Sequence, residues 1–280
     1  MKEHEVEELI KRIMPEVKRR IHELIIEERG INSKVRTAVM EALMVVKENI
    51  DKFANGETVN AKIKLDNRTI NIYFDRKDNV GQSGYALYFN NTLDPFMQCY
   101  IPFSDGKINM QEVADTIQHE INHIFQQHKS RKQYGRNVNY AMAATNMYDI
   151  DDAKRVVARV IYLSRDYEQD SIVNGLYAYI MQCLSDGIRI EKEKTDAYMQ
   201  LSNLYYAEEF VSKPENRNSL KVAMAEYPEM ELTIHKLKYL IRYAKKQLSR
   251  KIGRILSKCQ KDAVEICGVT TQGDNDWLFW

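Results

Sequence analysis

The sequence predicts an α+β protein that is predominantly helical. Apolar residues at helical spacing extend over most of the 280-residue chain, whereas the patterns typical of strands are confined to one stretch between residues 59 and 103. The apolar fraction of 44% and the charged fraction of 29% are those of a globular protein. We therefore expect one small sheet, antiparallel or mixed, packed on helices.

Two helical segments come first, over residues 2–28 and from residue 33 to about residue 53. The next stretch alternates on both sides of Asp66-Asn67, which predicts a β-hairpin with a short turn. Two further strands are predicted over residues 84–91 and 97–103. Together they make a sheet of about four strands.

The rest of the chain reads as helices. One is predicted over residues 109–129, a second over 151–184 with a possible break near Ser164, and the longest over 229–266. From this order we predict three parts, which are N-terminal helices (1–55), a core containing the sheet (56–185) and a C-terminal helical region (186–280).

Charge and composition limit the classes of partner. The 41 basic and 40 acidic side chains give a net charge of +1, which argues against nucleic acid as a partner. No run approaches the roughly 20 apolar residues of a membrane span, and the N-terminus resembles no signal peptide, so we expect a cytoplasmic protein. The four cysteines form no C-x-x-C pair, which predicts reduced, buried thiols. The oligomeric state stays open.

The longest predicted helix is rich in cations. A solvated basic face on a packed helix is the simplest interpretation, and binding of nucleic acid or of an acidic partner is the alternative. The cations concerned are Lys236, Lys238, Arg242, Lys245, Lys246 and Arg250.

The stretch IQHEINHIF, residues 117–125, contains the motif H-E-x-x-H. On a helix, His119 and His123 project from adjacent turns of one face and can bind one zinc ion. Glu120 is too close along the helix to be a third ligand, but it can accept a proton from water, as the general base of amide hydrolysis does.

The rest of this helix supports a metal site. Its apolar residues, which include Ile117 and Ile121, fall in one sector at 100° per residue, and both histidines lie outside that sector. A zinc site of the H-E-x-x-H-x-x-G-x-x-H type is excluded, because Gln126 and Lys129 stand where that motif needs glycine and histidine. His128 is about 140° from His123 around the helix and is badly placed to bind the same ion.

A third ligand can come from the following helix. Glu168 shares a face with Ile172, Leu176 and Tyr179, so this carboxylate is expected to point inward and to need a partner. Zinc is one such partner, a buried salt bridge to an arginine is another, and Asp170 is the second choice of ligand.

In the order of its helices, strands and motif, the chain resembles the zincin metallopeptidases over residues 33–185, and in particular their gluzincin-like branch. The resemblance implies a zincin-like core with a sheet over the active-site helix, an edge strand that aligns a peptide or protein substrate, and Zn²⁺ bound by His119, His123 and a glutamate. Glu120 is then the base. The thermolysin-type N-E-x-x-S-D signature is absent, because the second helix reads Tyr-Glu-Gln-Asp-Ser around Glu168.

These observations predict a zinc-dependent metallopeptidase. A catalytically inactive zincin-like protein, kept for binding or assembly, is the alternative. The side chain that would stabilise the transition state is not determined by the sequence, and the candidates are Tyr162, Tyr167, Tyr177 and His235.

Overall fold

The structure is a computed structural model, and it describes residues 31–65, 68–77, 84–87, 95–104, 107–129, 143 and 146–267. The helix predicted over residues 2–28 and the aromatic end of the chain lie outside this part. Within it, the predicted α+β, predominantly helical fold is confirmed. No helix in the described part is long and apolar enough to cross a membrane.

The described helices flank a sheet that lies early in the chain. Before it come α1 (Ile31–Glu48) and α2 (Ile50–Ala54), and directly after it comes α3 (Met110–Lys129). The remaining helices, in chain order, are α4 (Asp152–Leu163), α5 (Asp166–Asp186), α6 (Asp196–Ser212), α7 (Arg217–Ala225) and α8 (Ile234–Cys267).

The helix predicted from residue 33 to about residue 53 is two helices, so that prediction was wrong in detail. At Asn49 the side-chain amide donates to the carbonyl of Val45 at 2.8 Å. A local side-chain bond of this kind competes with the regular backbone pattern of a helix. The chain therefore ends α1 at Glu48 and starts α2 at Ile50.

The sheet is mixed. Its strands are β1 (Val59–Leu65), β2 (Arg68–Lys77), β3 (Gly84–Leu87), β4 (Phe96–Ser104) and the two-residue β5 (Lys107–Ile108). The order is β1-β2-β4-β3, in which β2 and β4 are parallel and the other neighbours antiparallel, while β5 pairs with the end of β4. The predicted hairpin is confirmed as β1 and β2.

One face of the sheet packs on α1 and α3 and forms the sheet core. Apolar residues at every second position turn toward this core because side chains alternate across a strand. Its fully buried members include Ile63, Ile70, Ile72, Phe74, Met97 and Ile101 on the sheet and Ile117 and Ile121 on α3.

Helices α4 to α8 enclose a second apolar cluster, the helical core. The predicted break near Ser164 is confirmed between α4 and α5, where the Ser164 hydroxyl donates to the Ile161 carbonyl at 2.7 Å. The long helix α8 contacts α4, α5, α6 and α7. Its buried side includes Leu237, Ile241, Ala244, Leu248 and Ile252.

Helices α3 and α5 pack along each other in antiparallel orientation, and polar residues line their contact, the α3–α5 seam. At one end Gln111 donates to Asp186 at 3.1 Å, and toward the other Asn122 donates to Ser171 at 3.3 Å. Between them Gly175 lies against Asp115. The histidines predicted as ligands belong to this seam.

Candidate metal centre

Helix α3 directs both motif histidines toward one point. The Nε2 atoms of His119 and His123 are 2.9 Å apart, and their rings meet edge to face with centroids separated by 4.6 Å. The buried residues Ile117 and Ile121 hold the helix on the sheet core, as the apolar sector predicts. That attachment leaves the histidine face for α5.

The third member of the group is Glu168, in the first turn of α5. Its Oε2 lies 3.1 Å from Nε2 of His123, and the residue is 3% exposed. One potential ligand atom from each of His119, His123 and Glu168 lies within 4.8 Å of the other two. The structure thus brings together the three residues that the sequence predicts, near enough to bind a metal ion.

The contacts within this group suit a cation better than a proton. One hydrogen on Nε2 of His123 would have to bond both Nε2 of His119 and the Glu168 carboxylate, at 2.9 and 3.1 Å. A cation would instead accept a lone pair from each of the three atoms. Two imidazole nitrogens and one carboxylate oxygen are a donor set that zinc binds in proteins.

Further contacts fix the orientation of the ligands. The Nδ1 atom of His123 lies 3.2 Å from the hydroxyl oxygen of Ser171, which also accepts a hydrogen bond from Asn122. The hydroxyl of Tyr162 hydrogen-bonds to Glu168. Partners of this kind set the ring tautomer and the carboxylate direction at metal sites.

The protonation of His119 also suits metal binding. Burial, reinforced by His123 and opposed by Glu168, lowers the pKa of His119 to about 3. The imidazole is therefore neutral at physiological pH, and a neutral ring has a lone pair to give to a metal ion.

Glu120 lies beside the ligands and is buried, with 8% of its surface exposed. Its charge acts on the sheet: burial, followed by the charge of Glu120, raises the pKa of the Cys99 thiol in β4. Cys99, Cys183 and Cys259 are buried free thiols, as predicted, and the side chain of Cys267 lies outside the described part.

Three of the other candidate residues make contacts away from the histidines or are exposed. Asp170 is half exposed and pairs with Lys251 at 2.8 Å, so Glu168 is the carboxylate that joins the histidines. Tyr177 donates to Asp262 at 2.9 Å, and His235 is exposed in the first turn of α8.

Two of the candidate tyrosines are near the group. Tyr162 bonds to Glu168, and the Tyr167 ring lies 6.4 Å from that of His123.

Sequence reasoning missed Tyr148, which precedes α4. Burial, followed by the charge of Asp196, raises the pKa of Tyr148 to about 12, and the carboxylates of Glu120 and Glu168 contribute to the shift. The charges of both carboxylates thus act on the Tyr148 hydroxyl, although 49% of the surface of the residue is exposed. The sequence feature that could have pointed to Tyr148 is the tyrosine-rich connection that follows the motif helix.

Comparison with protein-family models, with curated proteins and with solved structures finds no match to this chain, so the interpretation of the site depends on its geometry and chemistry.

Proposed function

We propose that the protein is a zinc-dependent metallopeptidase that hydrolyses peptide or amide bonds. The observation that carries the proposal is the convergence of His119, His123 and Glu168, with Glu120 directly after His119 on α3. Two histidines and a glutamate leave a tetrahedral ion one position for water or substrate, as in catalytic zinc sites. Zinc is preferred to Mg²⁺ or Ca²⁺ because those ions favour oxygen ligands.

A zinc ion held there would supply Lewis acidity, which polarises a carbonyl and lowers the pKa of water. Glu120 accepts the proton of the attacking water and then delivers it to the leaving amine. Tyr148, a protonated phenol on which the charges of Glu120 and Glu168 act, is the proposed donor of a hydrogen bond to the oxygen on which negative charge develops. Tyr162 keeps the Glu168 carboxylate in place.

Two further features support a peptide as substrate. Among the described strands, β3 pairs on one side only, with β4, and it packs against α3. An extended peptide could add to such an edge by backbone hydrogen bonds. Arg159, one turn before Tyr162, donates to the Met147 carbonyl at 3.4 Å, and its buried Nε has no hydrogen-bond partner in the described part. A substrate carbonyl or carboxylate could accept from it.

The test combines metal content with hydrolysis. Purified protein should hold about one zinc ion per chain, measured by elemental mass spectrometry, and His123→Ala should lose it. Glu120→Gln should retain the zinc and the thermal stability but lose hydrolysis of a random peptide library by at least about a hundredfold. Glu209→Gln, an exposed change on α6, should alter neither property.

Each outcome has a separate meaning. Zinc-free protein with unmodified histidines would contradict the metal site itself. Zinc bound at His123 without hydrolysis, or with hydrolysis that survives Glu120→Gln, would contradict the peptidase mechanism and favour a protein that uses the metal for binding or assembly.

A further inference from the structure

Helix α8 carries an unusual excess of positive charge. Residues 232–261 contain ten of the 41 Lys and Arg residues of the chain and no Asp or Glu. The remainder of the chain is therefore net acidic, although the total is close to zero. Charge that is segregated in this way creates a local field that the net charge conceals.

Three cations at the margins of the buried side of α8 pair with carboxylates, two of them on neighbouring helices. Lys245 pairs with Glu208 of α6, and Lys251 pairs with Asp170 of α5 at 2.8 Å. Farther along α8, Lys258 lies 3.5 Å from Asp262. The charges of these three lysines are therefore already paired.

Five cations on the outer side of α8 form no ion pair with a carboxylate of the described part. They follow one another at intervals of four residues, and we call them the α8 ladder: Lys238, Arg242, Lys246, Arg250 and Arg254. The first is half-buried and the other four are exposed. At 100° per residue the ladder is centred opposite the buried stripe of Leu237, Ile241 and Leu248.

Such a ladder is unfavourable for the isolated helix, because like charges at i and i+4 repel each other. Each interval advances about 6 Å along the axis, so the ladder is about 24 Å long. Double-stranded DNA carries one phosphate charge per about 1.7 Å, and seven base pairs cover a similar length. A row of phosphates would neutralise the ladder.

We propose that the α8 ladder binds the sugar-phosphate backbone of a nucleic acid without reading its sequence. The balanced net charge argued against such a partner, but the segregation of charge onto one face is the feature that matters for phosphate binding. Tyr239, 63% exposed and stacked on Tyr243 within the same face, offers an aromatic surface for an unpaired base.

An anionic membrane is the less favoured partner. Helices that lie on membranes insert an apolar face beside their cations. The apolar side of α8 is instead buried in the helical core, where Leu237, Ala244 and Leu248 are fully enclosed. The ladder therefore offers charge without an insertion surface, which suits phosphates in solution.

The test measures binding of the full chain to labelled nucleic acids by fluorescence anisotropy over a range of salt concentrations. Random-sequence duplex DNA and single-stranded DNA, each about 20 nucleotides long, exceed the length of the ladder. The ladder variant combines Arg242→Gln, Lys246→Gln and Arg250→Gln. The control removes three exposed lysines elsewhere, by Lys47→Gln, Lys62→Gln and Lys107→Gln.

We expect wild-type protein to bind with an affinity that falls steeply with salt. For duplex DNA, the ladder variant should lower the slope of log K against log salt by about 0.9 for each cation removed, a total of about 2.7, with at least a tenfold loss of affinity at low salt. The control should change the slope by less than about one. Tighter binding of single strands would assign a role to Tyr239, which Tyr239→Ala would then weaken selectively.

The proposal is overturned by any of three results: no binding at low salt, equal losses in the ladder and control variants, or binding to phosphatidylserine vesicles without binding to either DNA. Circular dichroism and thermal melting of both variants establish that they are folded. The test is independent of the metal centre, because Glu120→Gln should bind DNA as the wild type does.

Discussion

The two cores of the molecule are apolar, whereas the α3–α5 seam between them is polar. In the sheet core and the helical core, burial of aliphatic and aromatic side chains supplies the stabilisation. In the seam, buried polar residues of one helix bond to polar residues of the other, as Gln111 does to Asp186 and Asn122 to Ser171. Each such group must find a partner, because an unpaired buried polar group is costly.

The contrast between the apolar cores and the polar seam explains why the candidate metal centre lies in the seam. Hydrophobic packing is tolerant of position, but hydrogen bonds between buried groups require a defined geometry. Helix α3 is anchored in the sheet core and α5 in the helical core, so the two histidines and Glu168 come from separately supported elements. The seam brings these supports together at the candidate metal centre.

Gly175→Ala tests the close approach of α3 and α5, and it should destabilise the protein more than the other substitutions below. A Cβ atom at Gly175 would lie 1.9 Å from Oδ1 of Asp115 and 3.0 Å from the Asp115 carbonyl oxygen. The side chain can move, but the backbone oxygen requires a shift of a helix. We expect Gly175→Ala to lower the free energy of unfolding by about 1–3 kcal/mol, measured by urea denaturation.

A matched glycine on α8 gives the control. Around Gly253 a new Cβ would meet nothing within 4 Å, so only the helix propensity changes. Gly253→Ala should raise the free energy of unfolding by up to about 1 kcal/mol. If Gly175→Ala also stabilises the protein, the seam is looser than its contacts indicate and the comparison with the cores fails.

Much of this arrangement could be predicted from the sequence. Alternation around Asp66-Asn67 predicts the hairpin because side-chain facing depends only on neighbouring residues in a strand. The spacing of His119 and His123, and the inward stripe that contains Glu168, predict the ligand group for the equivalent reason in helices. These features are local, and local periodicity is visible in one sequence.

The features that were missed depend on contacts between distant segments. Pairing of β2 with β4 in parallel, rather than with its neighbour β3, is set by how the connections pack. The contact of Asp115 with Gly175 and the effect of the Glu168 charge on Tyr148 join segments with no shared pattern. Helix α1 ends before Asn49 because of a single side-chain hydrogen bond, which helix propensities do not reveal.

A buried carboxyl in the seam, that of Asp115, should make the stability of the protein depend on pH. Burial, followed by the charge of Asp196, raises the pKa of Asp115 well above its ordinary value, and the backbone N–H of Asp196 donates to Asp115 at 3.3 Å. The folded protein therefore holds this proton more tightly than the unfolded chain. Stability from this group is present at pH below about 3.9 and is lost as the pH rises through the folded pKa.

Asp115→Asn removes this titration and keeps an oxygen for the Asp196 N–H. We expect it to raise the free energy of unfolding on the order of 1 kcal/mol at neutral pH and to have little effect near pH 3.5. Urea denaturation at several pH values measures the difference. Asp51→Asn, an exposed change on α2, is the matched control for the loss of a carboxylate, and a destabilising Asp115→Asn at neutral pH would contradict the assignment.

Ser171 lies where the seam meets the proposed zinc ligands. Its hydroxyl oxygen accepts from Asn122 at 3.3 Å and lies 3.2 Å from Nδ1 of His123. Ser171→Ala removes both contacts and should cost about 1 kcal/mol of unfolding free energy. The affinity for zinc should also fall, by about 10–100-fold, because that is the usual contribution of a hydrogen-bond partner of a ligating histidine.

Competition with a chromophoric chelator measures that affinity. Ser257→Ala on α8 removes a hydroxyl that donates to the carbonyl of Gly253, four residues earlier, and should leave zinc binding unchanged. A loss of stability in Ser171→Ala with unaltered zinc affinity would mean that the seam holds the helices together without orienting the ligands. A loss of both would join the two roles in one residue, since the hydroxyl that bonds α3 to α5 would also direct His123 toward the metal.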